Sequence, residues 1–389
     1  MRWALLSIAL ASCGAGAPSL ERPRARPPRL VVVLVYDQLG SSALERLLPL
    51  LDEDGAVKRT IARGLYVERA EYEFASTFTA PGHAAIVTGA PPALSGIAAN
   101  RVWDRERRSV ISVMDDGEHA VLGRDGAFAS PRRLAAETAG DVLERETDGR
   151  AITISISMKD RSAILPGGHR PDVCLWFDKR AGGFTTSTYY AAALPAWASE
   201  WQAQHPWRSY LEPVWEPRDR ARLEQVLGAD AREGEGAYGF DDTFPHDARE
   251  LEDPDAFLSL PRSVELELAL AERAIDALHA GQDEVPDLVT ISISAPDYVG
   301  HAFGPESWEY ADSLVRSDAL AGALLARLEA RAPGLGVVIT SDHGAAPLPE
   351  RTAERELSGG RMRSEEELPI LQRYLQTSLG PFAEVEAWV

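Results

Sequence analysis

The sequence predicts an α/β protein: a mostly parallel central sheet with helices on both faces, plus an inserted cap region. Three observations predict this. Four apolar runs of strand length each end in polar residues: "RLVVVLVYD" (29–37), "AITISISMKDR" (151–161), "DLVTISISAPD" (287–297) and "LGVVITSDHG" (335–344). Helical patterns lie between them, and Val/Ile-rich runs alternating with amphipathic helices mark parallel strands covered on both faces. Residues 170–265 then break the alternation, first with aromatics and then with an acidic stretch.

At 389 residues with 45% apolar content, the chain can bury a large core, most simply as one domain over 29–389. The net charge of −20 argues against general attraction to nucleic acid or anionic membrane, so an anionic substrate needs locally placed cations or metal.

The first twelve residues carry one basic residue and a short apolar run, too short to span a bilayer, and read as an export signal. Leu10-Ala11-Ser12-Cys13 resembles the bacterial lipoprotein cleavage box, which implies acylation at Cys13 and a periplasmic or cell-envelope lipoprotein held to the membrane by its lipid. An ordinary secretory signal with an incidental cysteine is the alternative. Residues 13–28, rich in Pro and Arg, read as a tether. Only Cys174 remains in the mature chain, so it has no disulfide partner there; "VCLWF" places it in the core.

The run 29–37 is a strand ending at Asp37. In "TFTAPGHAAIVTG" (77–89) an extended segment meets a helical one, with Thr79 at the corner. Alternate residues of an extended segment share a face, yet only Thr79, and not Thr77, abuts the turn. Gly82 permits a close approach of backbone to ligand, and His83 orients backbone groups.

The run 151–161 ends in Lys159 and Arg161. By the two-residue period these point one way and Asp160 the other. The insertion 170–265 should cap the site, with Trp197, Trp201 and Trp207 packing a small core of its own. The run 287–297 ends at Asp297, four residues before His301. Residues 305–331 form a helix with Leu314, Ala321, Leu324, Leu325 and Leu328 on one stripe, started by Pro305. The run 335–344 ends in Asp342 and His343.

Ligands of such sheets bind beyond the carboxyl ends of the strands. The polar residues there define one rim: three carboxylates (Asp37, Asp297, Asp342) and two imidazoles (His301, His343) in a mixture of N and O donors that suits zinc. A threonine hydroxyl beside such a cation, at a helix N-terminus, can act as a nucleophile. Lys159 and Arg161 aimed into the rim would clamp the non-bridging oxygens of a phosphoryl group.

These stretches resemble the alkaline phosphatase superfamily, most closely its bacterial two-zinc phosphomonoesterases with a threonine nucleophile. The matching segments run in order from about residue 29 to 345: "VVVLVYDQLG", "TFTAPGHAAIVTGAPPALSGIAANRVWD", "SMKDRSAILPGGH", "GGFTTSTYY", "APDYVGHAFGPES" and "TSDHG". The resemblance implies an α/β/α sandwich that hydrolyses small phosphate monoesters through a phosphothreonine at Thr79. It implies one zinc on Asp37, Asp342, His343 and Thr79, a second on Asp297 and His301, and Asn100 donating to a phosphoryl oxygen beside Lys159 and Arg161. The related phosphodiesterase/nucleotide pyrophosphatase branch typically lacks the Lys-x-Arg pair, because a diester carries less charge on its free oxygens; diester activity is the first alternative.

The family completes the second zinc with a histidine far downstream, and none follows His343. Val385, Ala387 and Val389 alternate like a half-buried strand at the end of the chain. The expectation is a C-terminally truncated product whose second site is incomplete, with an upstream ligand as the other possibility. A catalytically impaired metal-binding homologue is the second alternative. The natural substrate, the oligomeric state and any gating by the insertion are not encoded in these patterns.

Overall fold

The structure, a computed structural model, describes residues 27–236, 238–249, 254–354, 361 and 364–379. The expected signal, the tether up to residue 26 and the terminal strand lie outside them. Among the described residues ten strands form in chain order: β1 Leu30–Tyr36, β2 Arg101–Asp104, β3 Ser109–Ser112, β4 Thr153–Ser157, β5 Val173–Asp178, β6 Gly183–Thr185, β7 Val214–Trp215, β8 His246–Asp247, β9 Asp287–Ile293 and β10 Gly336–Thr340. Six make the central sheet in the order β10-β1-β9-β4-β5-β6. Every pairing in it is parallel except that of β5 with the edge strand β6.

Five helices carry site residues or back the strands that do: α1 Thr79–Thr88, α2 Asp160–Gly167, α3 Pro261–Leu278, α4 Ala295–Phe303 and α5 Trp308–Arg331. Both faces of the sheet are covered. Alternate β5 side chains divide between two apolar clusters: Val173, Leu175 and Phe177 join the larger one, with α3 and α5. Cys174 and Trp176 join the smaller one, with Ala80 and Ala84 of α1 and Ala163 to Leu165 of α2. The α/β/α expectation therefore holds, as does the burial of Cys174.

Several local expectations change. The long helix starts at Trp308, where the Ser307 hydroxyl accepts the Tyr310 N–H at 3.0 Å, so a serine cap and not Pro305 sets its beginning. Its predicted stripe is buried throughout. Residues 173–185 extend the central sheet, so the insertion leaves it only after Thr185. Among the described residues the insertion has no separate core: Trp207 belongs to the large cluster, and Trp197 and Trp201 pack against it. An isolated layer of three indoles would bury too little apolar area, whereas docking on α3 joins it to the main core. Trp215 is fully buried and donates its indole N–H to Asp312 at 2.8 Å.

Candidate active site

The carboxyl ends of β1, β4, β9 and β10 converge, and each delivers polar side chains to one place. Asp37 follows β1, and its N–H donates to the Ile293 carbonyl at 3.1 Å, tying the loop to β9. Asp342 and His343 follow β10, and Asp297 sits in the first turn of α4 directly after β9. Ligand atoms of Asp37, Asp342 and His343 all lie within 4.8 Å of one another. Asp37 Oδ1 is buried with no hydrogen bond among the described residues, and His343 Nε2 stands 3.3 Å from it. Two converging carboxylates and an imidazole, one oxygen left unsatisfied, fit a divalent cation of the zinc type.

Asp297 and His301 project from one side of α4, as their spacing predicts, with His301 Nε2 3.4 Å from Asp297 Oδ1. His301 is exposed and Asp297 is buried. His343 Nε2 is 3.7 Å from Asp297 Oδ1, so the pair adjoins the first group. Among the described residues, Asp37, Asp342 and His343 are the only set of three donors this close, and no upstream residue joins Asp297 and His301.

Thr79 opens α1 and is buried, whereas Thr77 is exposed. Its hydroxyl lies 3.4 Å from His343 Nε2, at the positive end of the helix dipole. His83, one turn on and fully buried, places Nδ1 2.8 Å from the Thr79 carbonyl oxygen and 3.1 Å from Asp342 Oδ2, with Nε2 2.7 Å from Ser292 Oγ. It positions the helix, as expected, and also the Asp342 carboxylate. Gly82 makes a close approach, but to protein: a Cβ there would meet the Asp342 backbone carbonyl. Asn100 Oδ1 accepts the N–H of Ala80, the residue next to Thr79, at 2.8 Å, so its amide N–H groups are not engaged in that bond and make no hydrogen bond among the described residues.

Lys159 and Arg161 depart from the expected strand geometry. β4 stops at Ser157, Lys159 caps α2, and Arg161 is already helical, so the two-residue period no longer applies. Asp160 accordingly lies 3.6 Å from the Arg161 guanidinium instead of facing away. The buried Lys159 ammonium bridges the two halves of the site, 2.7 Å from Asp37 Oδ2 and in contact with Asp297 Oδ2. Burial opposes its charge, but Asp297 and Asp37 hold it above the ordinary lysine value. Burial likewise pushes the Asp297 and Asp342 carboxyls up, yet both end below the usual range: Lys159 and His301 outweigh burial and the neighbouring Asp37 at Asp297, and His83 and His343 outweigh burial at Asp342.

Beside these groups opens a cleft of about 600 Å³, lined by Lys159, Arg161, Asp297 and His301, by Lys179 and Arg180 from the turn between β5 and β6, and by Tyr238 from the segment between β7 and β8. Its size suits a small molecule. Tyr298 lines it, with the Lys159 and Lys179 ammonium groups 5.0 and 5.2 Å from the ring centre.

Gln38 and Glu267 were not singled out by the sequence pattern. Gln38 has φ of 71°, a costly left-handed conformation for a non-glycine residue. Its N–H donates to Asp342 Oδ1 at 3.1 Å and its amide to Asp297 Oδ1 at 3.0 Å, so one residue steadies carboxylates from both halves. Glu267 of α3 accepts the Met158 N–H at 3.1 Å.

Residues 31–369 match the type I phosphodiesterase / nucleotide pyrophosphatase family. Alkaline phosphatase PhoV of Synechococcus elongatus is 31% identical over 375 residues, covering 92% of this chain and 68% of the relative. Alkaline phosphatase PafA of Elizabethkingia meningoseptica is 33% identical over 357 residues, covering 89% of this chain and 64% of the relative. The chain thus spans about two thirds of the length of these relatives. The crystal structure of wild-type PafA superposes with a TM-score of 0.85 at 30% identity, over 92% of this chain and 70% of that one.

Proposed function

On the premise that the chain belongs to the type I phosphodiesterase / nucleotide pyrophosphatase family, we propose that it hydrolyses small phosphate monoesters through a phosphothreonine at Thr79. One observation carries this reading: the Thr79 hydroxyl lies at a helix N-terminus, 3.4 Å from His343 and so beside the Asp37–Asp342–His343 donor set, with Asn100, Lys159 and Arg161 at the same rim. The names of the relatives, alkaline phosphatases, support the monoester class.

Zinc held by Asp37, Asp342 and His343, with a second ion on Asp297 and His301, would lower the pKa of the Thr79 hydroxyl and offset charge on the leaving oxygen. The remaining chemistry belongs to the side chains. The Thr79 oxygen gives up its proton to solvent and attacks phosphorus in line, its new bond to phosphorus forming as the ester P–O bond breaks. The alkoxide leaves and takes a proton from water to become the free alcohol. Water later displaces the threonine, which regains its proton as phosphate is released. The dipole of α1 favours the negative charge that gathers at that point. Asn100 donates to one non-bridging oxygen. Lys159 and Arg161 place positive charge against the others, and a monoester dianion gains more from two cations than a diester does. His83 holds the Thr79 carbonyl and Asp342 together, which fixes the nucleophile relative to the donor set.

The reading includes export and acylation at Cys13. Turnover of 4-nitrophenyl phosphate against bis(4-nitrophenyl) phosphate by zinc-loaded protein tests the substrate class. Faster turnover of the monoester is expected, and faster diester turnover would overturn it in favour of a phosphodiesterase.

A further inference from the structure

We propose that Glu267 is a positioning residue for the phosphoryl site, holding the ends of β4 and β9 so that Lys159 and Asp297 face each other. The inference rests on the function proposed above. Glu267 interrupts the buried face of α3, where Val264, Leu268 and Ala271 pack into the large core. It is fully buried and no cation forms an ion pair with it among the described residues. A carboxyl in such a place is costly unless it answers a specific need.

That need lies at the strand ends. The β4 pairings stop at Ser157, which opposes Ser292 of β9 and Trp176 of β5. Met158 N–H, one residue past the last rung, instead donates to Glu267 Oε1 at 3.1 Å. The Ser294 N–H, just past β9, is near enough to favour the charged form of the same carboxyl, whose Oε2 makes no hydrogen bond among the described residues. One side chain therefore caps the end of β4 and adjoins the end of β9, immediately before the residues that carry Lys159 and Asp297. Hydroxyl groups complete the fastening. Ser157 Oγ donates to the Ser292 carbonyl at 2.9 Å, lies 3.1 Å from Ser294 Oγ and accepts the Lys159 N–H at 3.2 Å. Ser292 Oγ in turn reaches His83. Burial holds the Glu267 carboxyl well above the usual carboxylate range, and what the backbone uses is one accepting oxygen, Oε1. Glutamine, of the same shape and with the same acceptor, should replace it.

The test compares Glu267→Gln and Glu267→Leu, each alone and with Lys159→Ala, in zinc-loaded protein. Folding is checked by thermal melting, inorganic phosphate binding by calorimetry, and turnover with 4-nitrophenyl phosphate. Glu267→Gln should stay within about threefold of the parent in both binding and kcat/KM. Glu267→Leu should bind phosphate roughly tenfold more weakly and lose about a hundredfold in kcat, the scale of an ångström-sized misplacement. In the Lys159→Ala background the leucine should weaken phosphate binding clearly less than the roughly tenfold it costs alone, because part of its effect passes through Lys159. Full additivity, or unchanged phosphate binding in a folded leucine variant, overturns the proposal. If the leucine variant does not fold, Glu267→Ala, which leaves room for water, takes its place in the same cycle. A parent protein that binds phosphate but turns over no monoester brings down the proposed function, and the binding cycle still decides the role of Glu267.

Discussion

Replacing Gly82 by alanine should disable the site without touching any reacting group. A Cβ at Gly82 would stand 2.8 Å from the Asp342 Cβ and 2.7 Å from its carbonyl carbon. Carbon atoms pack without strain at about 3.5–4.0 Å, so α1 or the loop after β10 must retreat by roughly 1 Å. Neither can do so alone: His83 ties α1 to Asp342 and Ser292, and Asp342 accepts the Gln38 N–H. Overpacking of this kind costs about 1–3 kcal/mol of stability. A 1 Å shift between the Thr79 hydroxyl and the donor set should lower kcat about a hundredfold. Steady-state turnover of 4-nitrophenyl phosphate, with a thermal melt of the same sample, measures both effects. Gly89→Ala is the control: φ there is 64°, and nothing lies within 4 Å of an added Cβ. It should cost roughly 1 kcal/mol of backbone strain and leave kcat unchanged. A folded Gly82→Ala protein with parental kcat would refute the claim that this contact sets the nucleophile.

Thr79→Ala should abolish turnover, with Thr79→Ser retaining part of it, and undiminished activity in the alanine variant would remove the nucleophile. Dialysis against EDTA should remove activity and zinc should restore it; activity indifferent to chelation contradicts the metal reading. Burial, with like charge from Asp230 and Asp312, pushes the fully buried Glu309, 2.9 Å from His246, up to about 8. The folded protein therefore keeps a proton that the unfolded chain has released above its ordinary value of 4.5. Stability from this group is complete below that value and is lost as pH rises through about 8. Glu309→Gln should accordingly flatten the fall of Tm between about pH 5 and 8, and a parallel profile would exclude Glu309 as a source of it. Palmitate labelling of exported protein, lost in Cys13→Ala, tests the lipid anchor, and labelling that survives the substitution contradicts it.

The strand ends were legible because burial on both faces leaves little but apolar residues in a parallel strand. A polar residue at its carboxyl end then stands out, which is how Asp37, Asp297 and Asp342 declare themselves. Thr79 was legible because the chain changes from extended to helical at that residue, so its hydroxyl is buried while that of Thr77 is not. What stayed hidden depends on contacts between distant segments. Gln38 reaches Asp342 and Asp297 across most of the chain, and Glu267 meets the ends of β4 and β9 from a helix whose apolar period it interrupts. No local pattern encodes either. Lys159 and Arg161 do enter the site, but not by strand alternation: β4 stops at Ser157 and α2 begins at Asp160, and a helix start so soon after a strand cancels the two-residue period, so Asp160 does not face away. The indoles of the insertion were assigned to a core of their own because composition shows that they must be buried but not against what.

The most direct test is to find the phosphoryl group. Zinc-loaded protein mixed with a phosphate monoester and quenched in acid within one turnover should carry phosphate on the peptide containing Thr79, at Thr79 itself, by tandem mass spectrometry. The labelled fraction should vanish in Thr79→Ala. Continued turnover with no phosphate on Thr79, or with phosphate on another residue, would contradict the account.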